Sequence, residues 1–461
     1  MTIAGLAIII FYTIGLMLNI ANHTLKKFKY QVFLAMLWVG MFVNIGYVVS
    51  WFPALNFMYF LEILFLITSF ILKAASYNMN IRMSPKMIYS VALFIGAVTI
   101  AWINLIINPS VPDIIPYVIS MDSVYEGINN AVPAYFGRSN IAHFIFFMLF
   151  IGVCIEGHEY FILESSCHRL LNIIKIMFHF MMIFWLAEFL FCNLVSNNLW
   201  RSILFQIFGF VEGKTYWGIK RYGIYGFAGL FTEQSYISIM FVYYAILYAI
   251  GIKGKKDVAF YYLSLALLIL NGSTTGIMLL PFGLFVWFFP KAGKLTKRQF
   301  LRVVIGGLGL IFIVVMIMKV LPDFTNRIFD ITISKLGTYF ALSDYLVTSL
   351  SGSIRSFGNG VALNAFLSCP IFGVGLGSTR GYGIITGMLA CFGIVGSLAY
   401  FYMIKHFFGI NYQRNRIIII VALAYFYMIL TVNYLYSATL IPLYLVFAYV
   451  SKRQEYTLGY R

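Results

Sequence analysis

The residues best suited to chemistry lie between Lys220 and Ile239, in the sequence KRYGIYGFAGLFTEQSYISI. Two adjacent cations, Lys220 and Arg221, precede an apolar segment that we expect to be helical, and Glu233 lies about one and a half turns inside that segment. A charge inside lipid costs about 3 kcal/mol or more, so it normally faces a protein interior and has a partner. The pattern predicts a buried polar site at one membrane face that handles an anionic, lipid-linked molecule.

Two further carboxylates are expected at the same depth. Glu62 lies 5 residues, Glu188 7 residues and Glu233 6 residues from the outer end of its predicted span. At 1.5 Å per residue, each carboxylate would lie about 8–10 Å below the outer boundary. This clustering predicts a polar cavity that opens outward, with Glu62 and Glu188 lining the substrate site. The alternative is three independent structural ion pairs or hydrogen bonds.

The elements that must position these residues are membrane-spanning helices. Hydrophobic residues make up 62% of the 461 residues, charged residues only 10%, and the mean hydropathy is +0.90. These values exclude a soluble domain, so we expect an all-α polytopic membrane protein with about 13 (12–14) transmembrane helices in a single integral membrane domain, 1–461. The candidate spans are 3–21, 31–51, 57–74, 87–108, 141–155, 170–195, 227–251, 258–271, 273–290, 303–321, 383–407, 416–433 and 437–451.

Loop charges orient the predicted spans. Most of the 32 lysines and arginines fall in alternate connections: Lys26, Lys27 and Lys29; Lys73, Arg82 and Lys86; Arg169 and Lys175; Lys253, Lys255 and Lys256; Lys291, Lys294, Lys297, Arg298 and Arg302; Lys405, Arg414 and Arg416; Lys452, Arg453 and Arg461. The positive-inside rule then places the N-terminus outside and the C-terminus in the cytoplasm. The net charge of +17 therefore mostly reflects the lysines and arginines that orient the spans, and it does not indicate nucleic-acid binding.

The remaining cations concentrate in two predicted outer loops. The large loop 322–382, which we expect to contain short helices, holds Arg355 and Arg380, and the basic loop 196–226 holds Lys220 and Arg221. Arginine binds phosphate with a planar fork and keeps its charge. A pyrophosphate at the outer leaflet is the expected ligand, with pairing to loop aspartates or lipid headgroups as the alternative.

A glycine-rich turn follows in SCPIFGVGLGS, from Ser368 to Ser378. A proline followed by glycines at 373, 375 and 377 favours a tight turn in which backbone amides approach a ligand closely, and Gly375 is a candidate for substrate binding. No strand precedes it, so it is not a dinucleotide fingerprint. A re-entrant turn leading into the span at 383 is an equal alternative.

Three motifs resemble those of one known family. GLFTEQS, from Gly229 to Ser235, resembles the GLFxEPS element of bacterial O-antigen and capsule polymerases of the Wzy type, with Gln234 where the family has proline. NGSTTG, from Asn271 to Gly276, resembles their SSTG hairpin. Arg355 with the later glycine-rich turn resembles their R…NPLFGxGxGS stretch. The resemblance covers roughly residues 215–400.

The resemblance implies a metal-independent glycosyltransferase, without a cofactor, in the bacterial inner (cytoplasmic) membrane. Its substrates would be undecaprenyl-pyrophosphate-linked glycans, which it would polymerise into O-antigen or capsule at the outer leaflet. Arg221 and Arg355 would hold the pyrophosphate and neutralise the charge that develops on it, helped by Lys220 and Arg380. Glu233 would be the general base or an orienting group. A chain-length regulator is a further candidate partner.

Two other activities fit the same composition. An O-antigen ligase, which transfers glycan to lipid A–core, carries a histidine in its large outer loop, and the stretch 322–382 has none. A flippase or transporter of lipid-linked oligosaccharides often has two related halves with broken helices, and no internal repeat is visible here. Both remain alternatives to the polymerase.

Overall fold

The computed structural model describes residues 1–43, 46–49, 55–76, 83–107, 112–114, 132–209, 220–221, 224–231, 234–252, 257–271, 350–379, 383–410 and 440–458. Their helices are α1 Ile3–Ala21, α2 Leu25–Phe42, α3 Phe57–Ala75, α4 Pro85–Ile107, α5 Arg138–Glu156, α6 His158–Phe161, α7 Glu164–Phe191, α8 Asn197–Phe208, α9 Gln234–Ala249, α10 Asp257–Leu270, α11 Leu350–Ser368, α12 Ile384–Phe408 and α13 Ile441–Leu458. A π-helical turn, Cys192–Ser196, joins α7 to α8. Two small two-stranded antiparallel sheets pair β1 Asp113–Ile114 with β2 Val132–Pro133, and β3 Lys220–Arg221 with β4 Ile224–Tyr225.

The described residues are mostly helical, and six of their helical segments are long and apolar enough to cross a membrane. These segments are Ile3–Ala21, Phe57–Ala75, Pro85–Ile107, Arg138–Glu156, Glu164–Phe208 and Ile385–Phe408. The all-α membrane class is supported at this level. The predicted spans 273–290, 303–321 and 416–433 lie outside the described residues, so the number of about thirteen spans stays a prediction. The described helix α11 falls within the predicted outer loop 322–382.

The alternating loop charges assign several helix ends to the same side of the membrane. In the structure, these helix ends meet at one end of the bundle. The buried Lys29 ammonium donates to the backbone carbonyl of Glu156 (3.0 Å) and to its carboxylate (3.3 Å), and Lys73 pairs with the same carboxylate. Lys452 of α13 donates to the carbonyls at the ends of α6 and α12, those of Phe161 and Phe408. We call this end, defined by Lys29, Lys73, Glu156 and Lys452, the basic face.

Two predicted spans have the wrong bounds, and the first of them, 31–51, differs at both ends because α2 begins at Leu25. The span 31–51 was expected to be helical throughout, but α2 ends at Phe42, and Val43 forms a parallel bridge with Leu230. The span predicted to begin at residue 227 is helical only from Gln234, in α9. Apolar residues continue past Phe42, so hydropathy gives no signal for the end of α2. Contacts from α7 hold the chain before α9 out of a helix, as described next.

Candidate functional site

Glu188 near the end of α7 holds a backbone turn. Its carboxylate is buried and accepts hydrogen bonds from the amide of Ala228 (3.2 Å) and from the amide of Gly229 (2.8 Å). Gly229 has φ +59°, and a Cβ there would lie 2.4 Å from Nε1 of Trp185. Only glycine fits this conformation and this contact. Glu188 therefore fixes the turn that leads towards Glu233, and both of its oxygens are engaged with backbone rather than facing a substrate.

Asn193, in the π-helical turn, holds the neighbouring hairpin. Its Nδ2 donates to the carbonyl of Tyr225 (2.9 Å), and its Oδ1 accepts from the Tyr225 amide (2.9 Å). Tyr225 in β4 pairs with Lys220 in β3, and Ile224 pairs with Arg221. A π-helical turn places side chains where a regular helix would not, and such turns are frequent at functional sites. The backbone of the two predicted cations is thus anchored to the end of α7.

The helix that was predicted to contain Glu233 begins later than predicted. The prediction put Glu233 one and a half turns inside a helix, but Phe227 to Phe231 are not helical and α9 begins only at Gln234. The positive φ of Gly229 and the two hydrogen bonds to Glu188 account for the difference. Glu233 itself lies outside the described residues.

Glu62 has different surroundings from Glu188. It is fully buried on α3 and lies near Cys154 of α5. The same two helices meet at the stacked rings of Tyr59 and Phe146, whose centroids are 3.9 Å apart. Glu62 therefore belongs to the packing between α3 and α5, and the structure does not bring it to the turn that Glu188 holds.

Helix register shows that these two carboxylates do not share a layer. α2 meets α3 with Phe33 against Phe65 (5.4 Å between ring centroids), and the end of α2 meets α7 with Phe42 against Trp185 (6.2 Å). At 1.5 Å per residue from these contacts, Glu62 and Glu188 lie on the order of 15 Å apart along the bundle. Glu62 is the nearer of the two to the basic face. These contacts do not support the expectation of equal depth, which took each predicted span end as the same membrane boundary.

The glycine-rich turn fills a break in α12. Gly393 interrupts that helix with φ +60° and ψ −164°. The carbonyls of Ala390 and Cys391, which would accept hydrogen bonds from residues 394 and 395 in a continuous helix, instead accept from the amides of Val374 (2.8 Å) and Gly375 (2.9 Å). The freed amides of residues 394 and 395 donate to the carbonyls of residues 370 and 371. These four backbone groups at the break are therefore satisfied, as burial in a membrane requires.

Gly375 is thus needed for packing rather than available to a ligand. Its amide donates to Cys391, and a Cβ there would lie 2.4 Å from the Trp102 ring of α4. Gly373 is similarly restricted, because a Cβ would lie 2.4 Å from the carbonyl oxygen of Ala390. The prediction that the Gly375 amide meets substrate is not supported by these contacts. The re-entrant alternative describes this segment better.

Two asparagines that the sequence did not single out hold the glycine-rich turn and the start of α12. The buried Asn140 of α5 donates through Nδ2 to the carbonyl of Leu376 (2.8 Å) and to the hydroxyl of Ser378 (2.8 Å). Asn359 of α11 accepts through Oδ1 from the amide of Gly383 (3.1 Å) and from the hydroxyl of Thr386 (2.9 Å). An asparagine beside an apolar span is a weak signal that could have marked both of them.

The Asn359 contact lies between two of the predicted cations. Arg355 is one turn before Asn359 on α11, and Arg380 is three residues before Gly383 along the chain. The backbone of Arg355 is described but its side chain is not, and Arg380 lies outside the described residues, as do the side chains of Lys220 and Arg221. Among the described parts of the site, the backbone of Lys220, Arg221 and Arg355 thus lies in two anchored segments, and Glu62 lies on α3.

Comparisons with known proteins add no relative. No protein-family model, no curated protein and no solved structure matches this chain. The resemblance to membrane polysaccharide polymerases therefore stays a prediction, which rests on the motifs themselves and on the placement of their residues.

Proposed function

We propose that this protein is a membrane glycosyltransferase that polymerises undecaprenyl-pyrophosphate-linked oligosaccharide repeat units at the outer leaflet of a bacterial inner membrane. One observation carries the proposal. The two segments that bear the cations of the predicted outer loops are each held by an asparagine, at the end of the bundle opposite the basic face. Asn193 holds the hairpin of Lys220 and Arg221, and Asn359 holds the start of α12 one turn from Arg355. Rigid anchoring of charged groups is what electrostatic catalysis needs.

The reaction follows from the charges. Arg221 and Arg355 hold the pyrophosphate of the donor, with Lys220 and Arg380 adding positive charge. An acceptor hydroxyl attacks the anomeric carbon, the bond from that carbon to the pyrophosphate oxygen breaks, and the lipid pyrophosphate leaves with the electron pair. The arginines stabilise the negative charge that grows on the leaving group. The hydroxyl proton passes to a general base, for which Glu233 is the candidate.

The proposal also fixes orientation and partners. The basic face is cytoplasmic by the positive-inside rule, which places the N-terminus and both anchored segments outside. The substrates are lipid-linked glycans in the bilayer, and the arginines supply the charge stabilisation that a metal ion gives to enzymes using nucleotide sugars. A chain-length regulator is a further candidate partner. Glu188 acts as a positioning residue for the turn before Glu233.

A transporter of the same lipid-linked glycans is the second candidate, because α12 is broken at Gly393. Discontinuous helices are common at the substrate sites of transporters. Here the inserted segment satisfies the four backbone groups named above, which suits a fixed support better than a moving gate. The inserted segment also fastens to α4 and α5 through Trp102 and Asn140.

A reconstituted assay separates these functions. Purified protein in phosphatidylcholine vesicles is given undecaprenyl-pyrophosphate-linked repeat units, and the products are resolved by size. A polymerase yields a ladder of longer lipid-linked glycans. Movement of the substrate across the bilayer without new glycosidic bonds would show transport, and product only after addition of lipid A–core would show a ligase; either result would overturn the proposal.

A further inference from the structure

Helix α8 is folded back against the end of α7. Ser196 has an extended backbone (φ −166°, ψ 123°), and its hydroxyl caps α8 by accepting from the amide of Leu199 (3.2 Å). The chain therefore changes direction, and Trp200 packs against the rings of Phe184 and Phe191, with centroids 5.7 and 5.4 Å away. These contacts fix the position of the next residue, Arg201.

Arg201 is a partly buried cation that pairs with no acid among the residues that the structure describes. None of the ion pairs formed by the described residues includes Arg201, and its buried Nε has no hydrogen-bond acceptor among them. The ionisable groups that interact with it are the hydroxyl of Tyr225 and the thiol of Cys192. The buried Nε–H is withdrawn from water without an acceptor among the described residues, which costs free energy. An anion from outside the described chain would relieve that cost.

The surroundings of Arg201 suit a phosphate carried on a lipid. Tyr225 belongs to the hairpin that contains Lys220 and Arg221, so Arg201 lies beside the segment with the other two cations. On the same helix, Leu199, Ile203 and Phe205 are 49%, 39% and 48% exposed, which leaves an apolar surface for acyl or prenyl chains. The guanidinium fork matches two phosphate oxygens at once.

We infer that Arg201 is a phosphate-binding residue for a lipid headgroup that sits between α8 and the hairpin of Lys220 to Tyr225. Two sources share this chemistry: the pyrophosphate of a prenyl-linked substrate and the phosphate of an anionic phospholipid. The first source rests on the proposed function, whereas the second does not. In either case Arg201 lies beside the hairpin whose backbone carries Lys220 and Arg221.

Lipid binding tests this inference. The full-length protein in phosphatidylcholine nanodiscs is titrated with undecaprenyl pyrophosphate and, separately, with phosphatidylglycerol, and bound lipid is counted by native mass spectrometry. Arg201→Gln should weaken binding of at least one of the two lipids about tenfold, since a hydrogen bond to a charged group is lost. Arg138→Gln is the matched control, because Arg138 is exposed at the start of α5 and should leave both affinities unchanged.

The lipid that loses affinity identifies the source of the phosphate. Loss for undecaprenyl pyrophosphate alone assigns Arg201 to substrate, and loss for both lipids or for phosphatidylglycerol alone assigns it to a phospholipid headgroup. Arg201→Lys keeps the charge and removes the fork, so it should fold even if the glutamine variant does not, and should bind less tightly than wild type. Wild-type affinity for both lipids in Arg201→Gln and Arg201→Lys would overturn the inference. An equal loss of affinity in the Arg138→Gln control would also overturn it.

This test does not depend on the polymerisation assay. If wild-type protein forms no glycan ladder but Arg201→Gln still loses phosphate-lipid binding, the proposed function fails and the inference about Arg201 stands. If the ladder forms and Arg201→Gln both binds and polymerises like wild type, the inference fails and the proposed function stands.

Discussion

Polar side chains inside this protein hold backbone. Glu188 accepts two backbone hydrogen bonds, Asn193 exchanges two with Tyr225, and Asn140 donates to a carbonyl and a hydroxyl. A turn inside lipid must have its amides and carbonyls satisfied, so a polar side chain at each turn is the expected solution. Glu188, one of the two carboxylates predicted to line the substrate site, is better explained as a positioning residue.

Glu188→Gln should destabilise the protein and disturb the turn before Glu233. The amide side chain keeps one acceptor, and its NH₂ group faces a backbone N–H that it cannot pair with, so we expect a loss of about 1–3 kcal/mol in the free energy of unfolding. The measurement is Tm in detergent. Glu159→Gln serves as the control, because the Glu159 side chain is 41% exposed and 3.6 Å from Lys29, and such a pair contributes about 1 kcal/mol or less. Equal shifts in the Tm of the two variants would argue against a structural role for the hydrogen bonds to Glu188.

His158 in α6 makes stability depend on pH. Its Nδ1 lies 2.6 Å from the carbonyl oxygen of Phe407, so Nδ1 carries a proton and donates it. Burial, assisted by the nearby Lys452 ammonium, lowers the pKa of His158 against the opposing effect of that hydrogen bond. Because the unfolded chain then binds a proton more readily, the contribution to stability is complete above the unfolded pKa of about 6.5 and is lost as pH falls below it.

The expected result is a Tm that drops between pH 7.5 and pH 5.5, with a smaller drop in His158→Asn, whose side-chain amide can still donate to Phe407. The same replacement at the exposed His23 is the control and should leave the wild-type pH profile intact. A profile that does not change in His158→Asn would assign the pH dependence to other groups.

At the scale of elements, the broken helix α12 is the feature that most determines the site. Its break accepts the segment from residue 370 to 375, and that segment carries the chain to Ser378 and then towards Arg380. Gly373 and Gly393 face each other across the break: a Cβ on the second would lie 2.4 Å from the carbonyl oxygen of Ile371. The two glycines are required for close backbone approach.

Gly373→Ala should therefore lower the free energy of unfolding by about 2–4 kcal/mol, from overpacking and from the positive φ of +71° together. Thermal unfolding in detergent measures it. Gly360→Ala on α11 offers a matched comparison, since a Cβ there meets nothing within 4 Å and alanine favours a helix by up to about 1 kcal/mol. If Gly373→Ala were as stable as Gly360→Ala, the inserted segment would not be placed as described.

Sequence predicted the long helices well and their interruptions poorly. α1, α3 and α4 lie within a few residues of the expected spans, because an apolar run of that length in lipid must be helical. Hydropathy could not find the end of α2 at Phe42 or the break at Gly393, since apolar residues continue through both. Contacts with distant parts of the chain decide these points: Val43 pairs with Leu230, and residues 370–375 fill the break.

For the whole molecule, loop charge carried more information than any motif. The alternation of lysines and arginines predicted which helix ends share a side, and Lys29, Lys73 and Lys452 do meet at the basic face. The same reasoning identified cations that do not follow the alternation. Of these, Lys220, Arg221 and Arg355 have a described backbone, which lies in the two anchored segments opposite the basic face. The proposed site is therefore an exception to the topology signal, built where that signal would not place positive charge.

The most direct test of this site is the initial rate of glycan elongation by purified protein in phosphatidylcholine vesicles supplied with undecaprenyl-pyrophosphate-linked repeat units. Arg221→Ala and Arg355→Ala should each lower the rate by roughly 100-fold or more, because each removes charge that stabilises the leaving pyrophosphate. Wild type and the exposed Arg138→Ala control should both produce the full ladder. Normal rates and chain lengths from folded Arg221→Ala and Arg355→Ala would contradict the account.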